Sequence, residues 1–460
     1  MSFRIYAFIA VLPIFYIFAK LNKRKAMNCL DILLVFHSLY FGIIPLFCNE
    51  DFVEFTPVVN DSYVQFFAFA YYILFAFTLL VIDMFVSQKQ ADNLLYIGDY
   101  IKKISEKYNF CGNLAYKVLL VCVVLIFVSQ GYFMSRTLMA SGGSFDEKIL
   151  EIKNTQSPLA IFFYGATKTI RTFATFLITL TYVQAKNFGE KLGAKWKILA
   201  VFLIVNYLLN NRTGLFQGVI IISFVVYSIN REFLQAKTVI KSLVAILLTV
   251  GLVFPLITAY RYNSKRLMSK VHSPVEVIIP AVTSVINGDV NMSKADNKDS
   301  RSLGVFNIFA KATDYKKEFN GYLTLCSFSH GTPKFLLPSK SKVGSQEVIE
   351  KAIGENKDVA DSILLNFQLE NKSLGFLLTN IFFLLLIAIY DKLNKIFFLY
   401  TNDEYLLLIS ISLIFPWLNQ IESGIDGFLT GVFSSILLYI CSTIILKVIR
   451  NRFMKNELEL

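Results

Sequence analysis

The chain has little charge and few residues of the kinds that hold metals or form disulfides. Only 17% of its residues are charged, and its 460 residues include three histidines and six cysteines. A soluble domain of this length needs more polar surface, which argues against a soluble globular class. The cysteines are scattered without a CxxC spacing, which gives no sign of a disulfide framework. No two histidines have a ligand spacing such as HxxxH, so we expect no metal and no cofactor.

Several catalytic signatures are also missing from the sequence. It contains no GxxxxGK[ST], no GxGxxG and no GxSxG, so nucleotide hydrolysis and serine esterase chemistry lack support. No internal repeat is evident, which disfavours the transporter architectures that are built on repeats.

Apolar residues are abundant instead. They make up 55% of the chain, and phenylalanine alone occurs 44 times. They form blocks of about 20 residues, the length of helix that crosses a bilayer, so we predict an all-α, polytopic transmembrane bundle. The first block has no small-residue cleavage site after it and is predicted to be a retained helix. We predict about eleven spans, at residues 3–21, 29–48, 64–86, 115–135, 159–183, 196–209, 215–229, 239–260, 374–390, 405–417 and 428–448.

The charges of the loops predict the topology. Odd-numbered loops are basic, as in Lys23, Arg24 and Lys25 of the first, whereas even-numbered loops are acidic or mixed. By the positive-inside rule the N-terminus lies outside and the C-terminus inside. The net charge of +12 is then largely a consequence of topology and requires no nucleic-acid partner.

One long segment divides the chain into three parts. Residues 1–260 carry spans one to eight, 261–373 form a large loop on the outer side, and 374–460 carry spans nine to eleven and a cytoplasmic tail. Such long loops are functional or disordered. This one contains apolar pieces at 275–286 and 319–328 and a turn between Pro333 and Pro338, so we expect a partly folded lid over the outer helix ends.

Basic residues on the outer side are the first candidates for a site. Arg212 lies at the tip of a hairpin formed by the sixth and seventh spans. Its guanidinium either binds an anionic head group in a bidentate manner or serves only as an interfacial anchor. Lys168 and Arg171 share one helix face in the outer half of span five. Bases this deep either face a cavity or pair with an acid.

Two more arginines, Arg261 and Arg266, follow the eighth span beside Tyr260 and Tyr262. Rings and guanidinium groups together suit a sugar phosphate, although an aromatic belt with a flanking base would look similar. Because the positive-inside rule depletes bases on the outer side, their accumulation there favours an anion-binding site. An outer-leaflet lipid-linked pyrophosphate would fit.

The large loop contains the acid–base candidates. His330 is either a general base or a solvated loop histidine. The other polar candidates of this loop are Asp289, Asp296, Asp299, Arg301, Asp314, Asp358 and Asp361.

These features resemble the bacterial O-antigen polymerases. The resemblance is carried by Arg212-Thr213-Gly214 at the opening of an apolar helix, by Gly321-Tyr322, by the stretch from Pro333 to Lys340, and by one large external loop before the last helices. It covers residues 206–384. The family's Asn-Phe-Gly is here Asn366-Phe367-Gln368.

The resemblance implies a GT-C-like enzyme of the bacterial inner membrane whose active site faces the periplasm. Such an enzyme joins oligosaccharide repeat units carried on undecaprenyl pyrophosphate, and a chain-length regulator protein is a possible partner. Arg212 and Arg261, followed by Arg171 and Arg266, would stabilise the leaving pyrophosphate, with Lys168 helping to bind it. Asp314, His330 or Asp361 would serve as the base, unless an oxocarbenium-like transition state needs none. The alternatives are an O-antigen ligase, a lipid-linked oligosaccharide flippase, or a scaffold without catalytic chemistry.

Overall fold

The structure is a computed structural model of the full chain. It describes residues 3–43, 62–88, 97–139, 158–210, 212–233, 278–287, 308–309, 312, 319–334, 336–339, 341–354 and 362–458.

The described residues form helices and turns, without a strand among them. We number the α-helices in chain order. The first eight are α1 Phe3–Asn22, α2 Cys29–Ser38, α3 Ser62–Gln88, α4 Ile97–Lys107, α5 Asn113–Met139, α6 Pro158–Asn187, α7 Ala194–Asn210 and α8 Arg212–Asn230. The others are α9 Ile278–Ile286, α10 Tyr322–Gly331, α11 Ser345–Ile353, α12 Ile363–Asn371, α13 Gly375–Tyr400, α14 Glu404–Ser412, α15 Ile414–Leu418 and α16 Ile425–Leu458.

Most helices fall where the sequence predicts membrane spans, whereas α4 and α9 to α12 lie between predicted spans. Every predicted span coincides with a helix except the eighth, at 239–260, which lies outside the described residues. Within the described residues, four helices are long and apolar enough to cross a membrane, and four shorter apolar helices accompany them. The chain is therefore an all-helical protein with the character of a membrane protein. The number of crossings stays a prediction.

The centre of the bundle is the run of α14 and α15, which is buried on nearly all sides. Asp403 caps its start by accepting hydrogen bonds from the backbone N–H groups of Tyr405 and Leu406. The run breaks at Leu413 because the Pro416 ring removes one helical hydrogen bond and clashes with the carbonyl of the preceding turn. A 3₁₀ turn, Asn419–Glu422, extends the run beyond the predicted end at residue 417.

A buried charge cluster joins the first three helices. Lys20 Nζ of α1 lies 2.7 Å from Asp31 Oδ1 of α2 and 2.9 Å from Asp83 Oδ2 of α3. Tyr16 and Asn28 each donate a 2.6 Å hydrogen bond to Asp83. These partners satisfy two carboxylates and one ammonium in a place where an isolated charge would be costly.

The segments that follow odd-numbered spans meet at one end of the bundle. Gly98 donates to the carbonyl of Met27, and Gln184 donates to the carbonyl of Tyr108. Arg231, just after α8, pairs with Asp99 at 2.7 Å. These contacts are those expected if successive helices alternate in direction. Which side of the membrane this end faces stays a prediction.

At the opposite end, helices α10 to α12 pack on the start of α16. Ser345 of α11 donates to Asp426, and Asn366 of α12 accepts from the N–H of Ile425. The carboxylate of Glu370 accepts from the backbone of Gly321 and Thr324 and so caps α10. The predicted apolar pieces of the large loop are helical over 278–286 and 322–328. The turn after Pro333 is present, with Leu336 donating to the Pro333 carbonyl.

Candidate functional site

The structure describes four of the eight predicted site residues at least in backbone. Arg212 begins α8, Lys168 and Arg171 lie in α6, and His330 lies near the end of α10. The other four lie outside the described residues: Arg261, Arg266, Asp314 and Asp361.

Helices α6 and α8 run side by side in the same direction. Gln217 Nε2 donates to Thr172 Oγ1 at 3.1 Å, and further along both helices Asn187 donates to Asn230 at 3.3 Å. Lys168 comes one turn before Thr172, and Arg212 comes about a turn and a half before Gln217. The structure therefore brings Lys168, Arg171 and the start of α8 to one level of the bundle.

Arg171 lies in the interior and faces an aromatic ring. Its side chain is 5% exposed, and its Cζ lies 4.7 Å from the centroid of the Tyr207 ring of α7. The Tyr207 hydroxyl is 2.8 Å from Thr175 Oγ1, one turn further along α6. Measured along α6, Arg171 is about 24 Å from the end at Asn187. A cation is therefore held deep in the bundle by a cation–π contact.

A glycine makes room for that ring. A β-carbon on Gly218 of α8 would lie 3.0 to 3.2 Å from three carbons of the Tyr207 ring. The absence of a side chain at Gly218 thus allows α7 and α8 to approach closely, as small residues do in membrane helix pairs. Sequence reasoning missed Tyr207 and Gly218. The only sequence feature that could have indicated these two residues is that both lie close to Arg212 in the chain.

A chain of polar side chains links α6 to the far side of the bundle. From Thr172 it passes through Gln217 to Asn419, which donates to Gln217 Oε1 at 3.3 Å. Asn419 Oδ1 in turn accepts from the hydroxyl of Tyr40, in the π-helical turn after α2. The side chains of Gln217, Asn419 and Tyr40 are all buried. The signal for Gln217 and Asn419 was an amide side chain within or beside an apolar run.

Two further hydroxyl groups of α6 contact hydroxyl groups of α16 and α5. Thr169 Oγ1 is 2.9 Å from Ser435 Oγ, and Thr167 Oγ1 is 2.7 Å from Ser129 Oγ. Helix α6 thus carries the buried guanidinium of Arg171 and a series of hydroxyl groups within about two turns. Guanidinium, amide and hydroxyl donors together can surround the oxygens of an anion. No cluster of metal-ligating side chains is present in the part of the chain that the structure describes.

His330 belongs to a second group, at the start of α16. Its Nδ1 lies 3.2 Å from the carbonyl oxygen of Ser341. A β-carbon on Gly344 would lie 3.6 Å from His330 Nε2 and 2.5 Å from Asp426 Oδ2, so both side chains border the same point. Asp426 Oδ1 accepts from Ser345 Oγ at 2.9 Å. Asp426 precedes the last predicted span, in an even-numbered loop, and only its charge distinguished it in the sequence.

The two groups lie at different depths. Asp426 and Ser435 are on the same helix, about 14 Å apart along its axis. The level of Arg171 is therefore deeper in the bundle than the level of His330. The structure joins Lys168, Arg171 and the start of α8, and it places His330 with Asp426 nearer the surface.

The chain matches no protein-family model, no curated protein and no solved structure.

Proposed function

We propose that the chain is a glycosyltransferase that joins lipid-linked oligosaccharide repeat units into a surface polysaccharide. In this proposal the donor is an oligosaccharide on undecaprenyl pyrophosphate, and the active site faces the periplasm of a bacterial inner membrane. The observation that carries the proposal is the buried guanidinium of Arg171, placed level with Lys168 and with the first turn of α8, which begins at Arg212. A guanidinium fixed at this level of a membrane protein is well suited to bind the oxygens of an anionic substrate.

The proposed glycosyl transfer requires that the acceptor hydroxyl be placed at the anomeric carbon and that positive charges lie beside the leaving pyrophosphate. A hydroxyl oxygen of the acceptor sugar bonds to the anomeric carbon of the donor, and the bond from that carbon to the pyrophosphate oxygen breaks. The electron pair of the broken bond leaves with the lipid pyrophosphate. Negative charge develops on that leaving group, so cations fixed beside it stabilise the transition state more than the ground state. Arg212 and Arg171 have this role in the proposal, together with Arg261 and Arg266.

The proton of the acceptor hydroxyl needs a destination. In the proposal His330, Asp314 or Asp361 takes it, and an imidazole is the side chain best suited to accept a proton near neutral pH. Of these three, His330 lies in the described part of the chain, with Asp426 beside the same point. A carboxylate near an imidazole stabilises the imidazolium that forms.

Arg212→Ala in the source bacterium tests the proposal. Surface polysaccharide is run on a gel, and an immunoblot confirms that the variant reaches the membrane. We expect the long ladder to disappear while single repeat units remain attached to the core. Arg231→Ala is the matched control, because it removes a guanidinium at the opposite end of the same helix. It should leave the ladder intact.

The alternative outcomes are distinct. A normal ladder in Arg212→Ala would contradict the role of Arg212. Deletion of the whole chain then separates the functional classes. Single units on the core mean that transfer between units is lost, as expected for a polymerase, whereas the absence of any attached unit would point to a ligase or a flippase.

A further inference from the structure

A cavity lies at the end of the bundle where the odd-numbered loops meet, far from the proposed catalytic groups. Its volume is about 420 Å³, and it lies between helix α4 and the junction of α13 with α14. Its walls include Lys103, Lys107 and Tyr108 on one side and Phe398, Thr401 and Leu407 on the other. Ile104 and Glu106 complete the lining, and the Glu106 carboxylate is paired with Lys102 at 3.8 Å. The cavity thus combines two ammonium groups and one paired carboxylate with an apolar floor.

Helix α4 is anchored so that these two lysines face outward. Ile97, Ile101 and Ile104 are at most 1% exposed and hold the helix on the bundle. Lys102 is paired with Glu232 and Glu106. Amphipathic helices with this pattern lie in the plane of the membrane interface.

The other two lysines of α4 differ from Lys102 in what they contact. In the described part of the chain, neither Lys103 nor Lys107 has a carboxylate within 4.0 Å. Each lies over a tyrosine ring instead, Lys103 5.7 Å from the centroid of Tyr100 and Lys107 5.0 Å from that of Tyr108. These contacts restrain two positive charges at the rim of one cavity.

Tyr108 supplies an unused donor. Its hydroxyl is buried and has no hydrogen-bond partner among the described residues. A buried hydroxyl without a partner is costly, and a ligand oxygen in the cavity would satisfy it.

The surroundings indicate which kind of anion is bound. Helix α13 ends beside the cavity with Leu399 77% exposed and Tyr400 84% exposed. Ile396, one turn earlier, is also exposed. This apolar surface suits acyl chains, and it ends where the lysines begin. An amphipathic ligand with a negative head group would fit both parts at once.

We propose that this cavity binds the phosphate head group of an anionic phospholipid, in the leaflet that the loop charges predict to be cytoplasmic. Lys103 and Lys107 contact the phosphate as point charges, and the Tyr108 hydroxyl donates to one of its oxygens. The acyl chains lie along the last turns of α13. This inference does not depend on the proposed glycosyl transfer.

Binding of fluorescent phosphatidylglycerol to the full-length protein in neutral detergent tests the proposal. The double variant Lys103→Gln, Lys107→Gln should bind about 30-fold more weakly, since each lysine near a lipid phosphate contributes about a factor of five or six. Tyr108→Phe should weaken binding about fivefold through loss of one hydrogen bond.

The matched control is Lys195→Gln, Lys197→Gln. It removes the same charge from another exposed pair, and Lys195 also lies over a tyrosine ring, 4.6 Å from the centroid of Tyr116, but neither lysine lines the cavity. Binding by this control should be within a factor of two or so of the unaltered protein.

Three results would overturn the proposal. One is equal binding by the lysine double variant and the control. Another is equal affinity for phosphatidylcholine, which carries no net charge. The third is displacement of the lipid by inorganic phosphate at millimolar concentration, which would identify a free-anion site. Because all the altered side chains are at the surface or lose only a hydroxyl, an unchanged melting temperature verifies that each variant is folded.

Discussion

At the scale of single residues, the contact between Arg171 and Tyr207 decides how a cation is kept inside the bundle. The guanidinium is planar and weakly hydrated, so it can stack on a phenol ring where an ammonium could not do so equally well. The ring in turn is held by Thr175 and by the space at Gly218. The site therefore depends on a residue without charge as much as on the arginine.

Replacing Tyr207 tests this dependence. Tyr207→Phe keeps the ring and loses the hydroxyl bond, so polysaccharide chain formation should fall only a few-fold. Tyr207→Leu loses the cation–π contact, worth about 2 kcal/mol when desolvated, so the loss should be roughly 30-fold. The measurement is the amount of long-chain product at equal protein level. Equal losses in both variants would contradict a role for the ring.

At the scale of elements, buried polar groups fix which helices are neighbours. Lys20, Asp31 and Asp83 each come from a different helix, so their ion pairs define the arrangement of α1, α2 and α3. At the other end, α10 and α11 pack on the start of α16. Ser345 of α11 donates to Asp426, and Gly331 of α10 lies against the backbone of Asp426. Polar contacts give specificity here because lipid and protein interior are equally apolar.

Lys20→Met should destabilise the protein by about 3–5 kcal/mol, because it leaves two carboxylates buried without their cation. Unfolding in detergent by denaturant measures the change. Lys395→Met is the control, since Lys395 pairs with Asp391 at 2.8 Å but is 43% exposed. Its loss should cost under about 1 kcal/mol. Similar values for the two variants would show that the buried cluster is not a stabilising element.

Gly331→Ala should loosen the packing of α10 on α16. The new β-carbon would lie 2.8 Å from the backbone oxygen of Asp426, which cannot move without shifting the helix. We expect a loss of about 1–3 kcal/mol and faster proteolysis within 261–373. Gly427→Ala is the control, because its nearest neighbour would be at an ordinary 3.6 Å. A melting temperature unchanged by Gly331→Ala would argue against close packing at this contact.

At the scale of the whole molecule, the arrangement is an alternation of helix directions around one buried run. The ends that carry Met27, Gly98 and Arg231 lie together, and helices from the large loop pack at the other end. This separation places the proposed catalytic groups and the proposed lipid cavity at opposite ends of the bundle. Orientation in the membrane then follows from charge alone.

Cysteine labelling tests the orientation. In a variant without the native cysteines, a cysteine replacing Asp61 should react with an impermeant maleimide added outside the cell membrane. A cysteine replacing Lys103 should react only after the membrane is permeabilised. The positive-inside rule gives this direction because Lys103 belongs to a basic loop and Asp61 to an acidic one. The reverse pattern would invert the topology and move the proposed site to the cytoplasmic face.

The sequence alone determined where the long apolar helices lie. In lipid every backbone N–H and C=O must be satisfied within the segment, so an apolar run of sufficient length has little choice but a helix. This is why the span predicted at residues 3–21 matches its helix to within one residue, whereas the span predicted at 374–390 begins correctly but ends ten residues short of Tyr400. The sequence also identified Lys168 and Arg171, because a charged residue within an apolar run is conspicuous.

Only the tertiary structure decided which side chains meet. An apolar face does not reveal whether it will contact lipid or another helix, so no periodicity marked Tyr207, Gln217 or Asn419 as interior partners. Their association depends on the parallel packing of α6 and α8 and on the break at Pro416 that brings Asn419 into reach. The sequence thus specified the helices, and the contacts among their few polar side chains specified the site.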